Sequence, residues 1–471
     1  MVLRIDAICI NQGNIMERND QVRQMGSIYK QASGVVVWLG RDSGNAQLAM
    51  DFVRDAISQE NRFEWVLSTL SNPEYSGRWA AFMDVFDHRD YWRRSWVVQE
   101  YALASDVIFR CGWPDILNDH IHEFMVLFWD DQRGLSEIPA DHSNTLYQFL
   151  QGSFVDMLYI REHRQIPGQR LGFCALLVLN AGREASGPRD KVYGVLGLAD
   201  DLDDTEIVPN YSLPVRKLYE DVARLHIVKS KNLNIICARQ NCSANRTLVL
   251  DPGLECEYEE NPSGLANRKL SRDPIPCRGS STAEFKFERN GSILEVSGLC
   301  VGIVSGVGEV CLTDEQDPDL QAHIVKWLDL ANISRDASKP NSINETSRVD
   351  CFWRTTTKNR TKNGFMAPIS FGDMFDVWSG RRKAPPAPEL STLSYYVTMR
   401  AAIRDRRFFL SESSTMGLGP SGLMRDDMIC VLLGCDAPTA IRREGDHHVF
   451  VGENLFPRLH GWRSYKATKR R

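Results

Sequence analysis

Several features are scarce in this 471-residue chain, and each scarcity removes a class of function. No apolar run approaches the roughly 20 residues of a membrane-spanning helix; the best is residues 173–179. Basic charge is not in surplus. The net charge is -5, whereas a general nucleic-acid binder carries a basic excess. The one locally basic stretch, Lys466-Ala-Thr-Lys-Arg-Arg471, reads as a solvated terminus rather than a nuclear-localisation signal. The 12 cysteines include no Cys-x-x-Cys pair, and the Cys237/Cys242 and Cys430/Cys435 spacings do not suit common zinc sites. Reduced, mostly buried thiols of a cytoplasmic protein are expected instead. Arg4 and Asp6 interrupt what would have to be a signal peptide's apolar stretch, so Asn-x-Ser/Thr triplets such as those at Asn241, Asn290 and Asn344 read as incidental. No internal repeat is visible.

Against these absences stands the composition of an ordinary globular protein, 43% hydrophobic and 25% charged, long enough for about three domains. Residues 3–10 are nearly continuous in apolar side chains, as a parallel strand buried on both faces would be. Gly13-Asn14 breaks the run. Asn14 with Glu17 three residues later has the form of a capping box, ahead of a helix with Val22, Met25, Ile28, Tyr29 and Ala32 on one face. Residues 35–39 follow as a second buried strand, so the order predicts a βαβ unit in a parallel sheet. Helical spacing over 45–88 predicts an inserted helical subdomain, residues 92–104 a further helix and 106–111 a third strand.

Beyond Pro114 the pattern is helical near 120–129, 145–163, 171–180, 190–198 and 215–230. Strand-like segments at 247–250 and 293–304 flank a long polar loop, and a helix is expected near 320–331. The polar stretch 334–362 reads as a linker and Lys383-Ala-Pro-Pro-Ala-Pro388 as a boundary. After a helix near 390–404 come short strands at 407–411, 428–433, 439–442 and 448–452, as in a small barrel. The expected organisation is α+β overall. It comprises an α/β domain over 1–115 with a helical insertion at about 45–90, a helical region over 116–232, mixed strand and loop over 233–333, a linker-like segment over 334–388, and a helix with a small β-barrel-like module over 389–471.

Four blocks stand in a recognisable order: Arg4-Ile-Asp-Ala-Ile-Cys-Ile-Asn-Gln12; Glu17-Arg18 with Gln21-Val22, Met25 and Ile28-Tyr29; Val36-Val-Trp-Leu-Gly40; and Arg94-Ser-Trp-Val-Val-Gln-Glu100 with Ala104. Together they resemble the fungal heterokaryon-incompatibility (HET) family. Pro188-Arg-Asp-Lys-Val-Tyr-Gly-Val-Leu-Gly-Leu198 is similar to a later block of the same region. Arg407-Phe-Phe-Leu410, Gly417-Leu-Gly-Pro420 and Met428-Ile-Cys-Val-Leu-Leu-Gly434 resemble a module that often follows fungal HET domains. Two departures stand out. The family's usual upstream strand and helix precede the Ile-Asp-Ala block, which here starts at residue 3, and a Gly-Asp turn is usual where this chain has Asp426-Asp427.

The resemblance implies non-self recognition and the triggering of programmed cell death, with an unknown protein partner, self-association, no nucleic acid and no membrane. The HET family in turn resembles, remotely, Toll/interleukin-receptor (TIR) domains, which have a flavodoxin-like parallel sheet and in several cases cleave NAD. No cofactor is required by either reading; NAD would be a substrate. Many TIR domains place a glutamate four residues after a tryptophan on a helix, the spacing of Trp96 and Glu100 here.

This similarity makes Glu100 the catalytic candidate, a carboxylate able to stabilise an oxocarbenium-like charge or orient water. The plainer reading is an ion pair with Arg93 or Arg94. Asp6, Asn11 and Trp96 are candidate ligand-binding residues. Against that, Asp6 suits a structural hydrogen bond, Asn11 a helix cap, and Trp96, with Trp38 and Trp92, the core. Cys9 reads as a core thiol, and Arg189-Asp190-Lys191 as the start of a helix with Asp190 as its cap. No metal site is expected. Three functions remain: an association-driven incompatibility protein, an NAD-consuming hydrolase, or an inactive fragment lacking the strand that borders a nucleotide crevice.

Overall fold

The computed structural model describes residues 5–70, 72–129, 152–166, 171–203, 205–237, 282–288, 293–311, 320–360, 366–383 and 393–456. The expected strand at 247–250, nearly all of the polar loop before 283 and the Pro-rich boundary lie outside them. The chain divides into two compact units, the bulk of one being Met1–Val222 and of the other Lys269–Arg471. Both mix helix and sheet, so the molecule is α+β. Among the described residues no helix is long and apolar enough to cross a membrane.

In the first unit, strand β1 (Val35–Trp38) runs parallel to β2 (Val107–Arg110), and β3 (Asp115–Leu117) returns antiparallel to β2. Period-two alternation puts Val37, Leu39, Val107, Phe109 and Ile116 on the buried face, while Val36, Trp38 and Leu117 stay exposed. Helices α1 (Asp6–Cys9) and α2 (Ile15–Gln31) precede β1. Between β1 and β2 come α3 (Ala46–Ile57), α4 (Arg62–Leu70), α5 (Ser76–Phe86) and α6 (Val97–Leu103), and α7 (Asn118–Trp129) follows β3. Phe52 on α3 sets the packing of this group. Its ring lies 5.0 Å from Trp79, 5.9 Å from both Trp65 and Phe124, and 6.4 Å from Phe82, and Phe86, Trp92 and Phe154 carry the aromatic core to Phe109 on the sheet.

The expected strand at 3–10 does not form over its described part. Residues Asp6–Cys9 make a single helical turn, with Ile8 79% and Ile5 51% exposed. Among the described residues β1 pairs only with β2, and the backbone groups of this segment close locally: the N–H groups of Ile8 and Cys9 donate to the Ile5 carbonyl at 2.9 Å. The expected βαβ unit is therefore corrected to a parallel pair formed across the α3–α6 excursion. Cys9 and Trp38 are exposed rather than core residues. Residues 92–104 are also not one helix. A 3-10 turn, Asp90–Arg93, is followed by a bridge between Arg94 and Glu184, and only then by α6.

The second unit contains a six-stranded sheet in the order β11-β10-β9-β6-β7-β8, plus a separate hairpin of β4 (Phe285–Glu288) and β5 (Ile293–Val296). The six are β6 (Gly298–Val310), β7 (Arg406–Ser411), β8 (Met416–Pro420), β9 (Met428–Leu432), β10 (Thr439–Glu444) and β11 (His447–Glu453). Leu418 of β8 and Leu455, just past β11, exchange hydrogen bonds of 2.9 and 2.8 Å, which curls the sheet into a small barrel. Register shifts along β6 at Cys300/Gly302, Val304/Gly306 and Val307/Val310 supply the bends. Val304, Phe409, Leu423, Ile429, Ala440 and Phe456 pack as one cluster. Phe408, Met416 and Leu418 belong to a second, with Trp327, Phe352 and Phe375 from helices.

Those helices correct the expected linker at 334–388. Helices Glu345–Thr356 and Ser370–Trp378 occupy it, with Phe352 and Phe375 fully buried. The charged residues that made the segment look linker-like are folded inward: Arg381 pairs with Glu345 and Asp376, both largely buried. A buried ion-pair network satisfies its charges internally, so polar composition did not mean solvent exposure.

Candidate functional site

Helix α6 sits between two groups of partners in the first unit, and the block Arg94-Ser-Trp-Val-Val-Gln-Glu100 supplies both. One side is made by Ser95 and Gln99, which are buried. The Gln99 amide donates to the Tyr193 carbonyl at 3.0 Å, Ser95 Oγ donates to the Asp190 carbonyl at 3.3 Å, and Asn180 Nδ2 donates to Ser95 Oγ at 2.6 Å. A Cβ on Gly197 would come within 2.4 Å of Gln99 Oε1 and 2.8 Å of the Gly26 Cα, so α2 and the end of the helix Asp190–Leu196 meet backbone to backbone with the Gln99 side chain of α6 against them. Arg161 closes the other end of α6 by donating to the carbonyls of Tyr101 and Ala104, both at 2.7 Å, and of Ser105 at 3.0 Å. A cation against a helix C-terminus is the favourable arrangement.

Asp190 anchors this side. It is the first residue of its helix, with Arg189 in the cap position, which corrects the expectation of an Asp190 cap. Its fully buried carboxylate accepts from Gly187 N at 3.1 Å, Arg18 Nη2 at 3.3 Å and the Tyr211 hydroxyl at 2.5 Å. The Arg18 guanidinium also stacks 3.6 Å from the Tyr211 ring centre. The arginine of the second block and the aspartate of the 188–198 block are thus one structural clasp.

The adjacent face of α6 carries Glu100, in its first turn. Burial pushes the Glu100 carboxyl up to about 7; Arg94 opposes that shift and the charge of Asp6 adds to it. Asp6 is held there by Tyr29, whose hydroxyl donates to Oδ2 at 3.0 Å. The Tyr91 hydroxyl is buried with no hydrogen-bond partner among the described residues, and burial, followed by the Glu100 charge, pushes it well up. Asp6, Glu100, Tyr29, Tyr91 and Arg94 therefore form one electrostatic group. Chemically it offers a carboxyl poised between its two protonation states near neutral pH, flanked by a second carboxylate and a free phenol.

Glu100 makes no salt bridge with Arg93 or Arg94 among the described residues; Arg94 acts on it only at longer range. Trp96 stands in the cap position of α6, half-buried, with helical dihedrals that keep it on the Glu100 face one turn earlier. Asn11 is not brought to this group. It is exposed, its Oδ1 accepts from Gly13 N at 3.1 Å, and its N–H donates to Glu17 Oε1 at 2.9 Å, while Asn14 caps α2 by accepting from Met16 and Glu17 N. Tyr29 and Tyr91 were not singled out from sequence. Tyr29 lies within a family block, but nothing local marks Tyr91, whose role depends on the 3-10 turn.

Residues 1–100 match the model of the heterokaryon incompatibility protein (HET) family. That match makes this chain similar to HET-domain proteins. It is also 26% identical to heterokaryon incompatibility protein 6, OR allele, of Neurospora crassa, in a match covering 96% of this chain and 79% of the relative. No solved structure matches it. The match to the HET model ends at Glu100, yet the compact unit holding the HET blocks runs on to Val222, because the clasp and the Arg161 cap come from beyond it.

Proposed function

We propose that this protein acts in fungal non-self recognition and triggers programmed cell death. The observation that carries this reading is similarity along nearly the whole chain to an incompatibility protein, rather than within the HET blocks alone. The test is inducible expression of the full chain in a filamentous fungus, scored for growth arrest and loss of membrane integrity. The Asp190→Asn variant, which dismantles the clasp beneath α6, should lose the effect. Arrest that is absent with the intact chain in every tested mating background, or unchanged in the clasp variant, counts against the proposal.

A second reading is favoured by the Glu100 group: a TIR-like hydrolase acting on NAD. A desolvated carboxyl titrating near 7 suits acid–base work or stabilisation of a developing oxocarbenium ion beside it. Asp6 and Trp96 would line the substrate pocket in this reading. Incubation of the purified chain with NAD should then release nicotinamide, and Glu100→Gln should reduce the rate at least about 100-fold while the fold persists. No release, or release untouched by the substitution, removes this reading and leaves the first standing.

A further inference from the structure

The second unit holds two thiols in unusual proximity. Cys237 Sγ and Cys435 Sγ lie 3.0 Å apart, although the residues are 198 positions apart in the chain. Unbonded heavy atoms usually settle at about 3.5–4.0 Å. Both side chains are buried, Cys237 1% and Cys435 0% exposed. The approach is built by the backbone on each side. Asn234 Nδ2 donates to Asp436 Oδ2 at 2.6 Å, Asp436 N donates back to Asn234 Oδ1 at 2.9 Å, and Leu233 N donates to the Gly434 carbonyl at 2.6 Å. The short helix Asn234–Cys237 is thereby clipped to the turn that follows β9.

We propose that Cys237 and Cys435 are a dithiol modification site that a small-molecule disulfide oxidises to a protein disulfide. One protein thiolate attacks a sulfur of the small disulfide, forming a mixed disulfide and expelling one small thiolate. The second protein thiolate attacks the protein-side sulfur of that mixed bond and expels the other. Two protein S–H bonds are lost, one protein S–S bond forms and one small-molecule S–S bond breaks, and the two protons pass through solvent to the two expelled thiolates, so that the small disulfide is reduced to two thiols. The product fastens the 233–237 segment covalently to the barrel. The hydrogen bond to Cys435 and burial push the Cys237 thiol well up, so the reaction should be slow at neutral pH, faster at higher pH, and faster when the segment opens.

The test uses the full chain, purified under reductant and desalted, then incubated with glutathione disulfide at pH 8.5. Alkylation and peptide mapping of the unsubstituted protein should recover a Cys237 peptide joined to a Cys435 peptide. Its Tm should rise by about 5 °C, reversibly with dithiothreitol, because the bond closes a long loop. Cys237→Ser and Cys435→Ser should each abolish the shift. The proposal is overturned if both thiols remain alkylatable after prolonged oxidation, if the product stops at glutathione adducts, or if Cys237 joins any thiol other than Cys435. Linkage confined to the cross-strand neighbours Cys300 and Cys430 also overturns it. Mapping on the unsubstituted chain keeps the test valid should the serine variants fail to fold.

Discussion

At the residue scale, Glu100 has a measurable signature that does not depend on any assumed reaction. Its folded-state carboxyl is raised from 4.5 to about 7. Below about pH 4.5 it is protonated both folded and unfolded and has no effect on stability. Between 4.5 and 7 the unfolded chain ionises first, so stability falls as pH rises, by on the order of 3 kcal/mol in full. Glu100→Gln should remove that slope. Urea denaturation of the two proteins should coincide near pH 4.5 and diverge toward pH 7.5, with the variant more stable; a constant difference across the range would mean that Glu100 is not desolvated. A second residue-scale case is Asp426, where the related module usually carries glycine. Its φ is +70°, a left-handed conformation that aspartate tolerates at some cost. Asp427 beside it is buried and held by Arg442 through two 2.8 Å bonds. Asp426→Gly relieves that strain but frees the unfolded chain by a similar amount, so the net change in thermal unfolding should stay within about 0.5 kcal/mol, and a larger loss would show that the Asp426 side chain has a role of its own.

At the element scale, the contact of α2 with the helix Asp190–Leu196 depends on two glycines. Gly197→Ala gains up to about 1 kcal/mol by restricting the unfolded chain, but its Cβ would stand 2.8 Å from the Gly26 Cα. Backbone cannot yield there as a side chain could. The net result should be a loss of about 1–3 kcal/mol in the first unit, visible as a lower Tm. This contact also explains what periodicity could and could not reveal. The helices at 120–129, 190–198 and 215–230 were legible because their apolar spacing is local, and they appear as Asn118–Trp129, Asp190–Leu196 and Val215–Ser230. The helices at Glu345–Thr356 and Ser370–Trp378 were hidden because Arg381, Glu345 and Asp376 read as solvated charges until the fold pairs them.

At the scale of the whole molecule, each unit has its own core, one centred on Phe52 and its aromatic neighbours, the other on Phe352, Phe375 and Trp327. Phe52→Ala should raise amide hydrogen exchange in α3, α5 and α7, and Phe352→Ala in the helices and strands around the barrel, each costing about 3–5 kcal/mol locally. Equal loss of protection in both units from either substitution would mean a single cooperative core. The four blocks, the Asn14 cap of α2 and the barrel strands after residue 406 were legible in the sequence itself, since caps, turns and alternating strands depend on neighbours a few residues away; of the expected capping box the Glu17 half does not form, its carboxylate accepting from Asn11 N instead. Only tertiary structure decided that residues Asp6–Cys9 form a turn rather than a strand, because a strand exists only where a partner edge is available. It alone likewise brought Asp6, Tyr29 and Tyr91 to Glu100. Burial and proximity between residues far apart in the chain set the state of that carboxyl, and no local pattern encodes them.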